Sequence, residues 1–195
     1  MTTATTPVPV ASGDPSTLRR LHLARFGFAV VWALLLVVVG SHLGPLTAVL
    51  LVLYPLVDVA AAAVDARSSR AAAPETWNAV GLRATMTISA LAAIGLVVAL
   101  SSGVPAVLRV WGAWAVVAGI VQLVVAIRRR SLGGRGAMIA SGSISVLAGV
   151  AFVLTASAAG ASLAGLAGYA LLGGIFFLVS ALRLGRAPRP DHSPS

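Results

Sequence analysis

Of the 195 residues, 58% are apolar and only 10% charged, against roughly 45–50% and 25% in soluble globular domains, which excludes a water-soluble core as the organising principle. The net charge of +9 comes from fourteen arginines, with no lysine, against five acids. These arginines sit at the ends of apolar stretches rather than along one face, which argues for a lipid surface and against nucleic acid as the partner. Without cysteine the chain has no disulfide, thiolate nucleophile or thiolate metal site.

Residues 1–20 read as a flexible cytoplasmic tail, because residues 1–17 are rich in Thr, Pro and Ala and carry one acid, Asp14. Arg19, Arg20 and Arg25 then precede an apolar run over 26–39 that resembles the front of a signal peptide. Its exit, GSHLGP, lacks a small-x-small cleavage site and LRRLHLA lacks the context of a twin-arginine signal, so an uncleaved first span is expected. Residues 43–66 form a second span containing Pro55, Asp58 and Asp65. Pro55 has no N–H and crowds the carbonyl of Leu51, which predicts a bend between those residues.

Pro74 and Glu75 suit a helix first turn, with Trp77 and Arg83 at headgroup level and a third span over 84–100. The turn SSGVP leads into a fourth span over 106–127, and residues 128–136 form a basic loop. Spans over 137–156 and 163–182 follow, then Arg183, Arg186 and Arg189, with a flexible tail at 187–195. Six apolar runs of about 17–24 residues match a hydrocarbon thickness of about 30 Å. The expected architecture is an all-α, six-transmembrane-helix bundle over residues 21–186, with hairpins at about 24–67, 75–130 and 137–184. Cytoplasmic termini place every arginine but Arg109 on the inner side, and the expected location is the bacterial cytoplasmic (inner) membrane.

The segment WGAWAVVAGIVQLVVAIRRR, beginning at Trp111, is echoed 55 positions later. Ala115, Gly119, Ile120, Leu123, Val124, Ala126 and Arg128 recur as Ala170, Gly174, Ile175, Leu178, Val179, Ala181 and Arg183. The first arms agree more weakly: Ser89, Gly95 and Leu100 align with Ser143, Gly149 and Leu154 at a shift of 54. Three parallel hairpin repeats, related about an axis along the membrane normal, are therefore expected.

The motifs YPLVD at residues 54–58, GAWAVVAGIVQLVVAIRRR at 112–130, ISVLAGVAF at 144–152 and GYALLGGIFFLVSALR at 168–183 resemble the HdeD-like acid-resistance membrane proteins, a short-repeat group of unknown function. The resemblance implies a six-helix inner-membrane protein acting without catalysis in acid or envelope stress, with no family catalytic residues to carry over. The alternative is a small ion or proton channel or transporter using an intramembrane aspartate. Neither reading calls for a cofactor. The implied partners are the lipid bilayer and either a second copy of the chain or another membrane protein.

Asp58 is the most informative polar residue, since an acid at that depth is either a functional group or a hydrogen-bonded packing element. Aligning Arg67, Arg128 and Arg183 sets Asp58 opposite Gly119 and Gly174, which predicts a carboxyl filling the space two glycines leave. Burial disfavours the charged form, so the carboxyl is expected to be largely neutral, donating to a backbone carbonyl or to a Ser, Thr or Gln on a neighbouring helix. Asp65 is expected to pair with Arg67, Arg70 or Arg83. Arg109 is expected to snorkel outward while Trp111 and Trp114 hold the interface, with anion conduction as the other reading. His42 is a loop histidine or an external pH sensor, and His22 is cytoplasmic. Neither has a second ligand at metal-binding spacing. Ser141, Ser145 and Gly149 read as a small-residue packing ladder, with Gly119 and Gly174 as further packing positions. Gln122, Thr85, Thr87 and Ser89 either line a polar path or bond between helices. No Ser-His pairing, phosphate loop or HExxH pattern suggests an enzyme.

Overall fold

The computed structural model describes residues 15–69, 76–128 and 135–185. These form six helices: α1 (Pro15–Val39), α2 (Pro45–Ser69), α3 (Thr76–Leu100), α4 (Val104–Arg128), α5 (Arg135–Thr155) and α6 (Ala164–Gly185). All six are long and apolar enough to cross a membrane. In hydrocarbon every backbone polar group must be satisfied within the segment, and continuous helices meet that demand.

Pro45 occupies the start of α2, where a missing N–H costs nothing. Thr47 Oγ1 donates back to the Val39 carbonyl at 2.9 Å, satisfying an acceptor that α1 leaves open at its end. In the other two connections at this end of the bundle, Gly103 and Gly160 adopt φ of 85° and 87°, the left-handed backbone a side chain disfavours. This end, carrying residues 40–44, 101–103 and 156–163, is called the distal end.

The helices form a closed ring in chain order, with α6 returning to α1. Packing is closest between successive hairpins, at α4·α5, α6·α1 and α2·α3, and loosest within the first and last hairpins, at α1·α2 and α5·α6. Trp32, Leu36, Leu51, Leu96, Val107 and Trp111 fill the interior of the distal half. The outward faces carry large apolar side chains, among them Val38, Leu147 and Leu154 at 70–77% exposure, the reverse of a soluble protein and suited to lipid.

Some boundaries and placements differ from the sequence expectation. α1 begins at Pro15, so it takes in Arg19 and Arg20. α2 carries Pro55 in its interior and remains one helix across it, as a proline bend within a single span allows. One turn earlier, Trp32 Nε1 donates to the Leu50 carbonyl at 2.6 Å, bracing the turn weakened by the missing proline donor. Trp111 and Trp114 are core residues, 0% and 7% exposed, and do not sit at an interface. Their indoles stack and interlock with Trp32 and Tyr54, which hydropathy alone cannot distinguish from a headgroup belt. Pro74 and Glu75 lie outside the described residues, as does the side chain of Trp77.

Candidate functional site

Measured along the helices from the distal end, Arg25 on α1 is about 21 Å from Val39 and Asp58 on α2 about 20 Å from Pro45. Ser89 on α3 and Trp114 on α4 lie about 15–17 Å from their own distal ends. Four consecutive helices thus bring polar atoms to one level near mid-bundle. The Arg25 guanidinium forms a salt bridge with Asp58 Oδ1. Ser89 Oγ donates to Asp58 Oδ2 at 2.8 Å, and Trp114 Nε1 donates to Ser89 Oγ at 3.2 Å. The chain Arg25–Asp58–Ser89–Trp114 links α1, α2, α3 and α4, with each carboxylate oxygen accepting one bond.

The Arg25 guanidinium also lies over the Phe177 ring, 4.1 Å from its centroid, so the same cation touches α6. His22, one turn earlier, tilts against that ring at 5.9 Å, and its Nδ1 approaches the Leu18 carbonyl at 2.7 Å. The Arg25 and Asp58 side chains retain 22% and 16% exposure, so the pair is partly rather than wholly removed from solvent or lipid.

Asp58 was expected to bond a backbone carbonyl or a Ser, Thr or Gln on a neighbouring helix, and Ser89 on α3 is the hydroxyl that meets it. The expectation that the carboxyl donates is corrected: an arginine stands against it, and both oxygens act as acceptors. Arg25 is the member of this chain of bonds that sequence reasoning missed, because it reads as a flanking charge beside Arg19 and Arg20. A usable signal existed in the first hairpin, where Arg25 is fourteen residues before Val39 and Asp58 thirteen after Pro45.

A second polar cluster lies across α4, α5 and α6. Ser145 Oγ donates to the Ala115 carbonyl at 3.1 Å, and so receives the Tyr169 hydroxyl proton across 2.6 Å. Tyr169 meets Phe152 edge-on at 6.0 Å. Gly119 and Gly174 are both packing positions. A Cβ on Gly119 would lie 2.7 Å from the Gly142 carbonyl oxygen, and one on Gly174 would lie 3.1 Å from the Ala29 Cβ. The packing ladder on α5 is Gly142, Ser145 and Gly149, all buried, rather than Ser141, Ser145 and Gly149; Ser141 is half-buried. Steps of three and then four residues keep a 3.6-residue helix on one face better than two steps of four.

Arg109, exposed on the distal end, bonds Ser157 in the α5–α6 connection. His42 is exposed, with its Nδ1 at 3.1 Å from Ser41 Oγ. Gln122 is half-buried and stands apart from the Asp58 chain. Among the described residues, no salt bridge joins Asp65 to Arg67 or Arg83, and Arg70 lies outside them. Trp111 Nε1 is buried without a hydrogen-bond partner among the described residues, with the Trp114 ring edge-on to its own at 5.2 Å.

A distal cavity of about 250 Å³ lies between α5 and α6, and an outward groove of about 360 Å³ runs beside Val49, Val52 and Leu56; neither is lined by Asp58. Comparison with protein-family models, with curated proteins and with solved structures gives no match.

Proposed function

We propose that this chain is a non-catalytic multipass protein of the bacterial inner membrane, HdeD-like, acting in acid or envelope stress through its bundle rather than through a reaction. The observation that carries this reading is the engagement of Asp58: both carboxylate oxygens are occupied, by Arg25 and Ser89, and neither described cavity is lined by it. A carboxyl committed in this way fixes helix positions. Three parallel hairpin repeats are supported by the packing of α2·α3, α4·α5 and α6·α1, and by the paired bonds Ser89–Trp114 and Ser145–Tyr169, whose second members are 55 positions apart. Cytoplasmic termini are supported by Arg19, Arg67, Arg83, Arg128 and Arg183 on the side of the bundle away from Arg109.

The second reading, a small ion or proton channel or transporter, draws on the 22% and 16% exposure left to Arg25 and Asp58. Purified protein in proteoliposomes under a pH gradient separates the two. The proposed role gives proton and small-ion flux equal to empty vesicles, with acid survival of cells falling on deletion. Flux above empty vesicles that is abolished by Asp58→Asn favours the second. Single cysteines at Ser41, Ser102 and Ser157 should react with an impermeant thiol reagent from outside, and those at Ser69 and Ser131 should not. Labelling of the second pair in intact cells sinks the orientation.

A further inference from the structure

The loosest neighbouring pair in the ring is α5·α6, and its gap is not uniform along the membrane. About 7–8 Å inside the start of α6 Tyr169 closes it, bonded to Ser145 and set edge-on against Phe152. Toward the distal end it opens into the cavity of about 250 Å³, lined by Leu108 of α4, Phe152 and Thr155 of α5, Ser162 of the connection and Gly165 of α6. Leu108 immediately precedes Arg109, whose guanidinium reaches Ser157, between the cavity-lining Thr155 and Ala158. The arginine therefore stands at the rim. It lies about 7–8 Å inside the start of α4, the depth of the boundary between headgroups and acyl chains.

We propose that this distal opening binds an anionic phospholipid, its phosphate held by Arg109 and Ser157 and the upper part of one acyl chain lodged between α5 and α6. The cation selects the occupant. A guanidinium has donors in a fork that matches phosphate oxygens, and one bond to Ser157 leaves the others to meet them. Among the described residues Arg109 is the one arginine at this end of the helices, so it supplies the distal face with a cationic partner for a phosphate. The cavity supplies what free phosphate does not need: an apolar wall from Leu108 and Phe152. Gly165 keeps it open, since a Cβ there would already lie 3.1 Å from the Phe152 ring.

The test uses the full chain in detergent, with binding read by native mass spectrometry for three probes. Dihexanoyl phosphatidylglycerol carries phosphate and chains, glycerol 3-phosphate the phosphate alone, and dihexanoylglycerol the chains alone. The first should bind at least about tenfold more tightly than either of the others, and Arg109→Gln should weaken it about tenfold by removing charge-assisted bonds. Arg109→Lys should recover part of that loss, Gly165→Leu should weaken the lipid by filling the opening, and Arg183→Gln at the opposite end should leave it unchanged. Thermal unfolding identifies folded variants; if Arg109→Gln fails, Arg109→Lys and Gly165→Leu decide. Equal lipid affinity in the parent and the folded distal variants overturns the proposal. Glycerol 3-phosphate binding as tightly as the lipid overturns it in favour of a free-anion site, and dihexanoylglycerol doing so reduces it to an apolar crevice.

Discussion

The contact between α4 and α5 and the junction of α1, α2 and α3 solve the same problem by opposite means. Lipid tails are as apolar as leucine, so helices gain little from hiding aliphatic surface from one another and need either close backbone approach or polar bonds. Between α4 and α5 the first device dominates. Gly112 faces Gly149, and Gly119 faces Gly142, in antiparallel register, with a Cβ on Gly112 or Gly149 only 2.5 Å from the opposite carbonyl oxygen. At the α1–α2–α3 junction the second device acts through Arg25, Asp58, Ser89 and the bond from Trp32 to Leu50. A backbone contact depends on the absence of atoms and tolerates no addition. A polar contact depends on matched pairs and tolerates their joint removal.

The largest effect should come from adding one carbon to the first region. Gly149→Ala places a Cβ 2.5 Å from the Gly112 carbonyl oxygen and 2.8 Å from the Val116 backbone nitrogen, which side-chain rotation cannot relieve. The helices must separate, at a cost of about 3 kcal/mol, the upper part of the range for overpacking. Gly168→Ala is the control, because nothing lies within 4 Å of its added Cβ. It should be neutral or slightly stabilising, since alanine is the better helix former by about 1 kcal/mol. Thermal unfolding in detergent reads both, and an equal midpoint for Gly149→Ala and the parent would show that the two backbones do not meet closely.

The next effect tests whether the second region acts as a pair. Asp58→Leu strands Arg25 and removes the acceptor of Ser89, and should cost about 2 kcal/mol, below the 3–5 of a fully buried pair because both partners keep some exposure. Asp58→Asn should also destabilise, since it keeps an acceptor for Ser89 but leaves the guanidinium without its counter-charge. Asparagine would suit a carboxyl engaged only as a packing group, and it is the Arg25 guanidinium that makes the substitution costly. Adding Arg25→Gln to Asp58→Asn should recover about 1 kcal/mol relative to the sum of the single losses. Additive losses in that cycle would mean that the two side chains do not interact in the membrane.

The spans were legible because a run of apolar residues near twenty is a strong one-dimensional signal, and Asp58 was legible because it breaks one. The ring order was not. It depends on which face of each helix turns inward, and these helices are apolar on nearly every face. Gly119 and Gly174 could be read as packing residues from their repetition, whereas Gly142 was passed over for Ser141 because four-residue spacing was followed along a helix of 3.6. Arg25 was obscured by its neighbours: a cation near Arg19 and Arg20 reads as a flanking charge until its depth is compared with that of Asp58 across the hairpin. Trp111 and Trp114 were assigned to an interface by residue type, although their indoles belong to the buried aromatic cluster of the distal half.

The smallest effect compares the two serines. Ser145→Ala deletes the bonds to Tyr169 and to the Ala115 carbonyl. That carbonyl keeps its place in the α4 helix, so the loss falls mainly on Tyr169. Ser89→Ala also deletes two bonds, but it leaves Trp114 Nε1 without an acceptor and Asp58 with Arg25 as its remaining partner. Hydrogen bonds between membrane helices average about 0.6 kcal/mol, and one to a charged acceptor is about twice as strong as a neutral one. Ser89→Ala should therefore cost about 1 kcal/mol and Ser145→Ala about half of that, read as thermal shifts in the same detergent. The order matters more than the sizes. Because Ser89 acts through the carboxylate, its effect should shrink in an Arg25→Gln, Asp58→Asn background, while that of Ser145 should be unchanged. If Ser89→Ala costs the same in both backgrounds, Ser89 is an independent packing residue and the chain from Arg25 to Trp114 does not act as one unit.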